Sequence, residues 1–185
     1  MKLILIRHGI AEDMFEAGSD EERKLTPEGQ KKFKKVAGGI IEIEPKIDKV
    51  ISSPLVRAVQ TAEILMTKIH SEKFRESEVT LSSRIKEADT LIPEKLTELK
   101  PNSDPQEFCQ WLRAKYRTEV DASLAVCGHE PHLSALCSFL LTGRSENFFE
   151  FKRGGAAGLD LYIRSHDIKA QLSWFMKPSQ LRSIT

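Results

Sequence analysis

The spacing of apolar and polar positions divides the chain into alternating strands and helices. Residues 3–6 form a short, wholly apolar run, which is typical of a strand buried inside a parallel sheet. Similar reasoning predicts five further strands, at residues 48–52, 122–127, 147–152, 157–163 and 171–176, and residues 79–81 are a further strand candidate. Between most of these strands, apolar residues recur at helical spacing. This alternation predicts an α/β three-layer sandwich around a mainly parallel mixed sheet, with its antiparallel strands at one edge.

Capping residues and prolines mark where the predicted helices begin. Thr26 and Asp104 are favourable N-caps, and a proline follows each of them. Ser53 is expected to cap another helix, which Pro54 would start. Such a start places Arg57 in the first helical turn, where free backbone N–H groups and the positive end of the helix dipole favour anions.

Polar residues follow three of the predicted strands, at the sheet edge where open α/β folds place their ligand sites. Arg7, His8 and Gly9 follow the first strand, whereas Arg57 and His129 follow two later ones. Arginine offers a planar set of donors that matches phosphate oxygens, and histidine can attack phosphorus. Taken singly, the arginines would most often be surface ion-pair partners and His129 a capping or core histidine. Their joint placement favours a phosphate site.

Three motifs in the chain resemble those of the histidine phosphatase superfamily, whose fold is called phosphoglycerate-mutase-like. They are Arg-His-Gly at residues 7–9, S-P-x-x-R-A-x-Q-T-A at 53–62 and G-H-x-P at 128–131. The segment 25–29 also matches the L-T-x-x-G helix start of that family. The short length and the ending at residues 174–178 are most similar to the smallest branch, the SixA-type phosphohistidine phosphatases. The resemblance implies that residues 1–185 form one histidine phosphatase domain.

The resemblance also implies a reaction in which His8 receives the phosphoryl group. A neutral imidazole nitrogen of His8 would attack phosphorus, and water would then hydrolyse the phosphohistidine. The other ring nitrogen should donate to a backbone carbonyl, which fixes the tautomer. Arg7, Arg57 and His129 would bind the phosphoryl oxygens, and Gly9 would allow a close approach of the backbone. No metal or cofactor is expected, because these residues already supply a positive field.

A general acid is the part of the site that the sequence does not identify. Larger relatives place a glutamate after the third strand, and Glu87 and Asp89 occupy that region here without matching the motif. Glu12 and Asp13 are further candidates. An alkoxide leaving group needs a proton, whereas imidazole, with a pKa near 6.5, leaves with much less help. The sequence therefore favours phosphohistidine on a protein, and the resemblance suggests a histidine-phosphotransfer domain as its bearer.

Two other functions remain open at this point. One is a small-molecule phosphatase or mutase of the same fold, and a mutase would need an enclosed pocket. The other is a non-catalytic phosphate-binding module, although such a module does not need the nucleophile His8. These alternatives differ in whether a phosphoenzyme forms and in which substrates it forms from.

Composition narrows the setting of the protein. The 28 lysines and arginines balance 27 aspartates and glutamates, so the net charge of +1 does not favour nucleic acid or a membrane surface as a partner. No apolar stretch is long enough to span a bilayer, and no signal peptide is evident. An odd number of cysteines without a zinc pattern indicates reduced thiols in the cytoplasm. A cysteine-based phosphatase would need arginine six positions after its cysteine, where the chain has Lys115, Leu133 or Gly143.

Overall fold

A mixed sheet of six strands lies at the centre of the fold. The computed structural model describes residues 1–76, 92–146 and 148–184. The strands are β1 (Lys2–Arg7), β2 (Lys49–Ser52), β3 (Glu94–Lys95), β4 (Ser123–Gly128), β5 (Ala156–Ile163) and β6 (Ile168–Met176), in the spatial order β3-β2-β4-β1-β5-β6. The four strands β3, β2, β4 and β1 pair in parallel, and β5 and β6 are antiparallel. The predicted α/β class, with its antiparallel edge, is confirmed.

Helices cover both faces of this sheet. In chain order they are α1 (Met14–Ala17), α2 (Pro27–Ile43), α3 (Val56–Glu76), α4 (Pro105–Tyr116), α5 (His132–Thr142) and α6 (Pro178–Arg182), with a 3₁₀ turn at Thr97–Leu99. Thr26 caps α2 by accepting a hydrogen bond from the Gly29 N–H at 3.0 Å. Asp104 caps α4 in the same way, by accepting from the Gln106 N–H at 2.9 Å. Both predicted helix starts are therefore confirmed.

Strand β1 separates two hydrophobic cores. Leu3 and Leu5 pack with the helices α4 and α5, whereas Ile4 and Ile6 pack with α2 and α3 on the other face. All four side chains are fully buried. Because burying one such side chain stabilises the fold by about 1.5–3 kcal/mol, β1 is held from both sides. The residues that follow it therefore start from a fixed position.

Two predictions about local structure need correction, and one short strand was not predicted. The described residues 148–152 form no strand, although Phe151 is fully buried. The backbone of Phe151 bonds to side chains instead, as its N–H donates to Glu130 and its carbonyl accepts from Arg7. Helix α3 begins at Val56, two residues after Pro54, and the short strand β3 had no sequence signal. The strand predicted at residues 79–81 lies outside the described residues.

Burial makes the three cysteines poor nucleophiles. Cys109, Cys127 and Cys137 are all free thiols, and burial raises the pKa of each well above its usual value. A thiolate is therefore disfavoured at neutral pH, which agrees with the sequence argument against a cysteine phosphatase.

None of the helices within the described ranges is long and apolar enough to cross a membrane.

Candidate active site

The carboxyl ends of three neighbouring strands bring the predicted site residues together. In the parallel register, Arg7 at the end of β1 lies opposite Gly128 of β4, and Ser52 at the end of β2 lies opposite Cys127. His8 and His129 directly follow β1 and β4, and Arg57 lies in the first turn of α3, as predicted. The ring centroids of His8 and His129 are 5.1 Å apart. Residues separated by more than a hundred positions are thus in contact at one edge of the sheet.

Hydrogen bonds fix the tautomer of His8. Its Nδ1 lies 2.7 Å from the Gly9 carbonyl oxygen, and its Nε2 lies 3.3 Å from Nε of Arg57. A carbonyl can only accept and an arginine can only donate, so the proton is on Nδ1 and the lone pair is on Nε2. Burial, reinforced by the nearby arginines, lowers the pKa of His8 to about 3. The imidazole is therefore neutral at pH 7.

Asp20 holds the outer edge of the Arg57 guanidinium. Nη2 of Arg57 donates to Asp20 Oδ2 at 2.9 Å, and Nη1 donates to the backbone carbonyl of Asp20. Arg23 donates to the second oxygen of the same carboxylate at 2.8 Å. Partial burial acts to raise the pKa of Asp20, but the hydrogen bonds from Arg23 and Arg57 lower it overall. The ionised carboxylate thus orients Arg57 so that its Nε faces His8.

Thr61 connects helix α3 to the turn after β1. The backbone N–H of Gly9 donates to the Thr61 hydroxyl oxygen at 3.1 Å. The same hydroxyl donates to the backbone carbonyl of Arg57 at 2.7 Å. Because Thr61 is fully buried, these bonds are shielded from water. This side chain therefore ties the backbone of Arg57 to the backbone of Gly9, next to His8.

The groups on the other side of His8 are only partly bonded. Nη1 of Arg7 donates to the Phe151 carbonyl at 2.5 Å, but its buried Nε has no partner within the described structure. Nε2 of His129 lies 2.9 Å from the Ser53 hydroxyl, whereas its buried Nδ1 has no partner there either. Burial lowers the pKa of Arg7, and it lowers that of His129 to about 2. This side retains hydrogen-bonding capacity for a ligand.

A family model matches residues 3–170, and its description is histidine phosphatase superfamily, branch 1. The chain belongs to the histidine phosphatase superfamily. The predicted family is thereby confirmed, and membership supports a phosphatase enzyme. The motif residues at the three strand ends are the ones that the fold brings together.

Comparisons with individual proteins agree with this membership. A solved structure of the protein histidine phosphatase SixA with tungstate is 27% identical, with a TM-score of 0.74 over 98% of this chain and 99% of that one. An uncharacterized protein of Picosynechococcus sp. is 29% identical over 159 residues, which cover 86% of this chain and 84% of the relative. The mitochondrial serine/threonine-protein phosphatase Pgam5 of Drosophila persimilis is 41% identical over 73 residues, only 25% of its length.

The remaining acid candidates divide into two groups. Glu87 and Asp89 lie outside the described residues. Glu12 binds the backbone N–H of Lys24 through Oε2 at 2.9 Å, and Asp13 is exposed at the start of α1. The structure therefore gives neither of the second pair a contact with His8.

Two contributors to the site had not been singled out from the sequence. Thr61 belongs to the S-P-x-x-R-A-x-Q-T-A motif, so a closer look at that motif could have found it. Asp20 sits in an acidic segment with several similar residues. Its partner Arg57 is 37 positions away, and no local pattern distinguishes it from its neighbours.

Proposed function

We propose that this protein hydrolyses phosphohistidine on a protein substrate, with His8 as the nucleophile. The observation that carries this proposal is the fixed tautomer of His8, whose unprotonated Nε2 faces the guanidinium of Arg57. In this mechanism Nε2 forms a bond to phosphorus while the phosphorus–nitrogen bond of the substrate breaks. The departing imidazole keeps the electron pair of that bond. Water then attacks phospho-His8, which releases inorganic phosphate and restores the free ring.

The surrounding donors fit the charge that develops in this reaction. A phosphoryl group that enters between His8 and Arg57 would accept the N–H that Nε of Arg57 now directs at the histidine. The unpaired Nε of Arg7 and the neighbouring His129 would bind further oxygens. Since this charge spreads over the equatorial oxygens, donors that are already in place lower the barrier without rearrangement.

The leaving group decides between phosphohistidine and a phosphate ester. Among the residues that the structure describes, the carboxylates of Asp20 and Glu130 lie beside this site, and both act as acceptors. Asp20 accepts from two arginines, and Glu130 accepts from the Ser134 hydroxyl and the Phe151 N–H. Neither arrangement provides a proton for an alkoxide. Imidazole needs much less assistance, which supports phosphohistidine and, as in the name of the SixA relative, a protein as its bearer. A histidine-phosphotransfer domain is the bearer that we propose.

A phosphatase for serine or threonine phosphate, or for a small phosphate ester, is the second candidate. It is favoured by the similarity to Pgam5, which is named a serine/threonine-protein phosphatase. A mutase would in addition have to retain its product. All these reactions predict a phosphorylated His8, so the distinction rests on the leaving group.

The test compares kcat/KM for a phosphohistidine protein, a phosphoserine peptide, p-nitrophenyl phosphate and a phosphoglycerate. We expect the phosphohistidine protein to react fastest, and aryl esters to react more slowly as the pKa of their leaving group rises. Equal values for phosphohistidine and phosphoserine, with chemistry rate-limiting, would show that an effective acid is present. Failure to trap a phosphoenzyme with any of the four substrates would favour the non-catalytic module.

A further inference from the structure

A small cleft beside the turn that carries His8 has a cationic lining. It has a volume of about 230 Å³ and includes the backbone of Gly9. Its charged lining residues are Lys32 from α2, Arg153 from the segment before β5 and Arg182 from α6. No carboxylate belongs to the lining given by the described residues. Cations from three separate parts of the chain therefore converge on one place, although the whole chain has a net charge of only +1.

This cleft adjoins the candidate active site through the backbone. The N–H of Gly154 donates to the carbonyl oxygens of Arg7 and His8, at 3.1 and 3.0 Å. Arg153 immediately precedes Gly154, so the fold fixes its backbone next to the reactive turn. The charge of Arg153 also contributes to the lowered pKa values of both His8 and Arg7. An anion bound in the cleft would lie close to the transferred phosphoryl group.

The exposure of the cations indicates what kind of anion fits. The side chains of Lys32 and Arg153 are exposed, and Lys32 also forms an ion pair with Glu28 at 2.6 Å. Sites that hold a small ligand bury most of its surface. A rim of exposed cations instead suits a carboxylate that projects from another protein, because such a group remains partly hydrated.

We propose that the cleft of Lys32, Arg153 and Arg182 binds an acidic side chain that neighbours the phosphohistidine in the protein substrate. The inference rests on the proposed function and adds a preference among its protein substrates. Substrates with a carboxylate beside the phosphohistidine would bind more tightly than substrates without one. The effect would appear mainly in KM, since neither His8 nor Arg57 is among the residues that line the cleft.

Two phosphohistidine peptides of equal length provide the test. One has glutamate on both sides of the phosphohistidine, and the other has glutamine at the same positions. The test variant combines Lys32→Gln with Arg153→Gln. The matched control combines Lys31→Gln with Lys34→Gln, which remove two exposed charges from α2 outside the cleft.

We expect the native protein to prefer the glutamate peptide by about fivefold in kcat/KM, the scale of two partly exposed ion pairs. The test variant should reduce this ratio to about one through KM, and the control should retain it. High salt should also reduce the native preference. An unchanged ratio in the test variant would overturn the proposal. An equal loss of kcat/KM with both peptides would also overturn it, because it would indicate a general electrostatic effect of the two cations rather than recognition of the carboxylate.

Different outcomes of this experiment test the cleft proposal and the proposed function separately. If neither peptide reacts while aryl phosphates do, the proposed function fails, and the acidic-segment proposal falls with it. If the peptides react without a charge preference, only the present inference fails. Inhibition by pyrophosphate and by inorganic phosphate is compared as well. A Lys32- and Arg153-dependent preference for pyrophosphate, without any peptide preference, would assign the cleft to small bisphosphates and overturn the assignment to a protein.

Discussion

The two sides of the site differ in how fully their polar groups are bonded. On the α3 side, His8 and Arg57 have partners at every ring nitrogen and at each guanidinium nitrogen. On the α5 side, Nε of Arg7, Nδ1 of His129 and both ring nitrogens of His132 are buried without partners in the described structure. The first side is complete before any ligand arrives, whereas the second is not.

This difference separates two tasks. A buried polar atom without a partner destabilises a fold by about 1–3 kcal/mol, so such atoms persist where a ligand can satisfy them. The bonded side fixes the direction of the nucleophile. In the proposed mechanism the open side supplies donors to the phosphoryl oxygens, and for Arg7 and His129 this accounts for their unpaired nitrogens. His132 has no such role, and its nitrogens remain unexplained by the site.

The largest effect should follow from replacing His8, which lies between the two sides of the site. His8→Ala deletes the Nε2 lone pair, so no phosphoenzyme should form with any substrate. Rapid quench with labelled substrate should give an acid-labile, alkali-stable label in the native protein and none in the variant. A label that persists in His8→Ala would place the nucleophile elsewhere.

The next largest effect should come from Arg57 on the bonded side. Arg57→Ala should lower kcat by about 10² or more, the scale of losing one preorganised donor. The melting temperature should change little, because its partner Asp20 is accessible to water and keeps its bond to Arg23. Arg113→Ala is the control, since that arginine lies in α4 and bonds to the carbonyl of His166 rather than to a residue of the site. Loss of folding, or nearly unchanged turnover, would contradict the assigned role.

A smaller effect should arise when the hydrogen bond between Arg57 and Asp20 is weakened and Arg57 itself is kept. Asp20→Asn replaces a charge-assisted hydrogen bond with a neutral one, a difference of about 1 kcal/mol, or about fivefold in rate. The loss should fall on kcat more than on KM, because Asp20 orients a donor that acts in the transition state. The exposed neighbour Glu21→Gln serves as the control. A rise in kcat would mean that Asp20 restrains Arg57 rather than orienting it.

The free energy of unfolding at acid pH should depend on His132, the histidine on the open side that the mechanism does not use. Burial lowers the pKa of His132 to about 4, compared with about 6.5 in an unfolded chain. Between these values the unfolded state binds a proton that the folded state does not, so stability falls as pH falls below about 6.5. By pH 5 this one group should remove about 2 kcal/mol of unfolding free energy.

His132→Leu should remove that contribution, while the exposed His166→Gln should not. Urea unfolding at pH 7 and pH 5 measures the difference for each variant. Equal acid sensitivity of the native protein and His132→Leu would show that His132 is already protonated in the folded state, or is not buried.

Sequence reasoning succeeded where a single segment determines the outcome. The run at residues 3–6 is buried on both faces, so its continuous apolar pattern is sufficient to identify a strand. The N-caps of α2 and α4 act through bonds to residues two or three positions ahead, and these too are readable locally. The motifs then located the turns, and the fold brought their side chains together.

The missed features depend on partners that are distant in sequence. Residues 148–152 have the apolar pattern of a strand but do not form one. The backbone of Phe151 bonds instead to the side chains of Glu130 and Arg7. Asp20 differs from other acidic residues of its segment only through its contact with Arg57. The helix predicted to start at Pro54 begins at Val56, because the first helical hydrogen bonds are accepted by the carbonyl of Leu55.

The hydroxyl of Thr61 has a consequence for how substitutions combine. Because it bonds both to the turn of His8 and to the backbone of Arg57, a shift of α3 displaces two parts of the site together. Residues that share such a link have non-additive effects on free energy. A double-mutant cycle between Thr61→Val and Arg57→Ala should therefore show a coupling energy, although Thr61 touches no substrate. The effects of substitutions at these linked positions should therefore be measured together rather than summed.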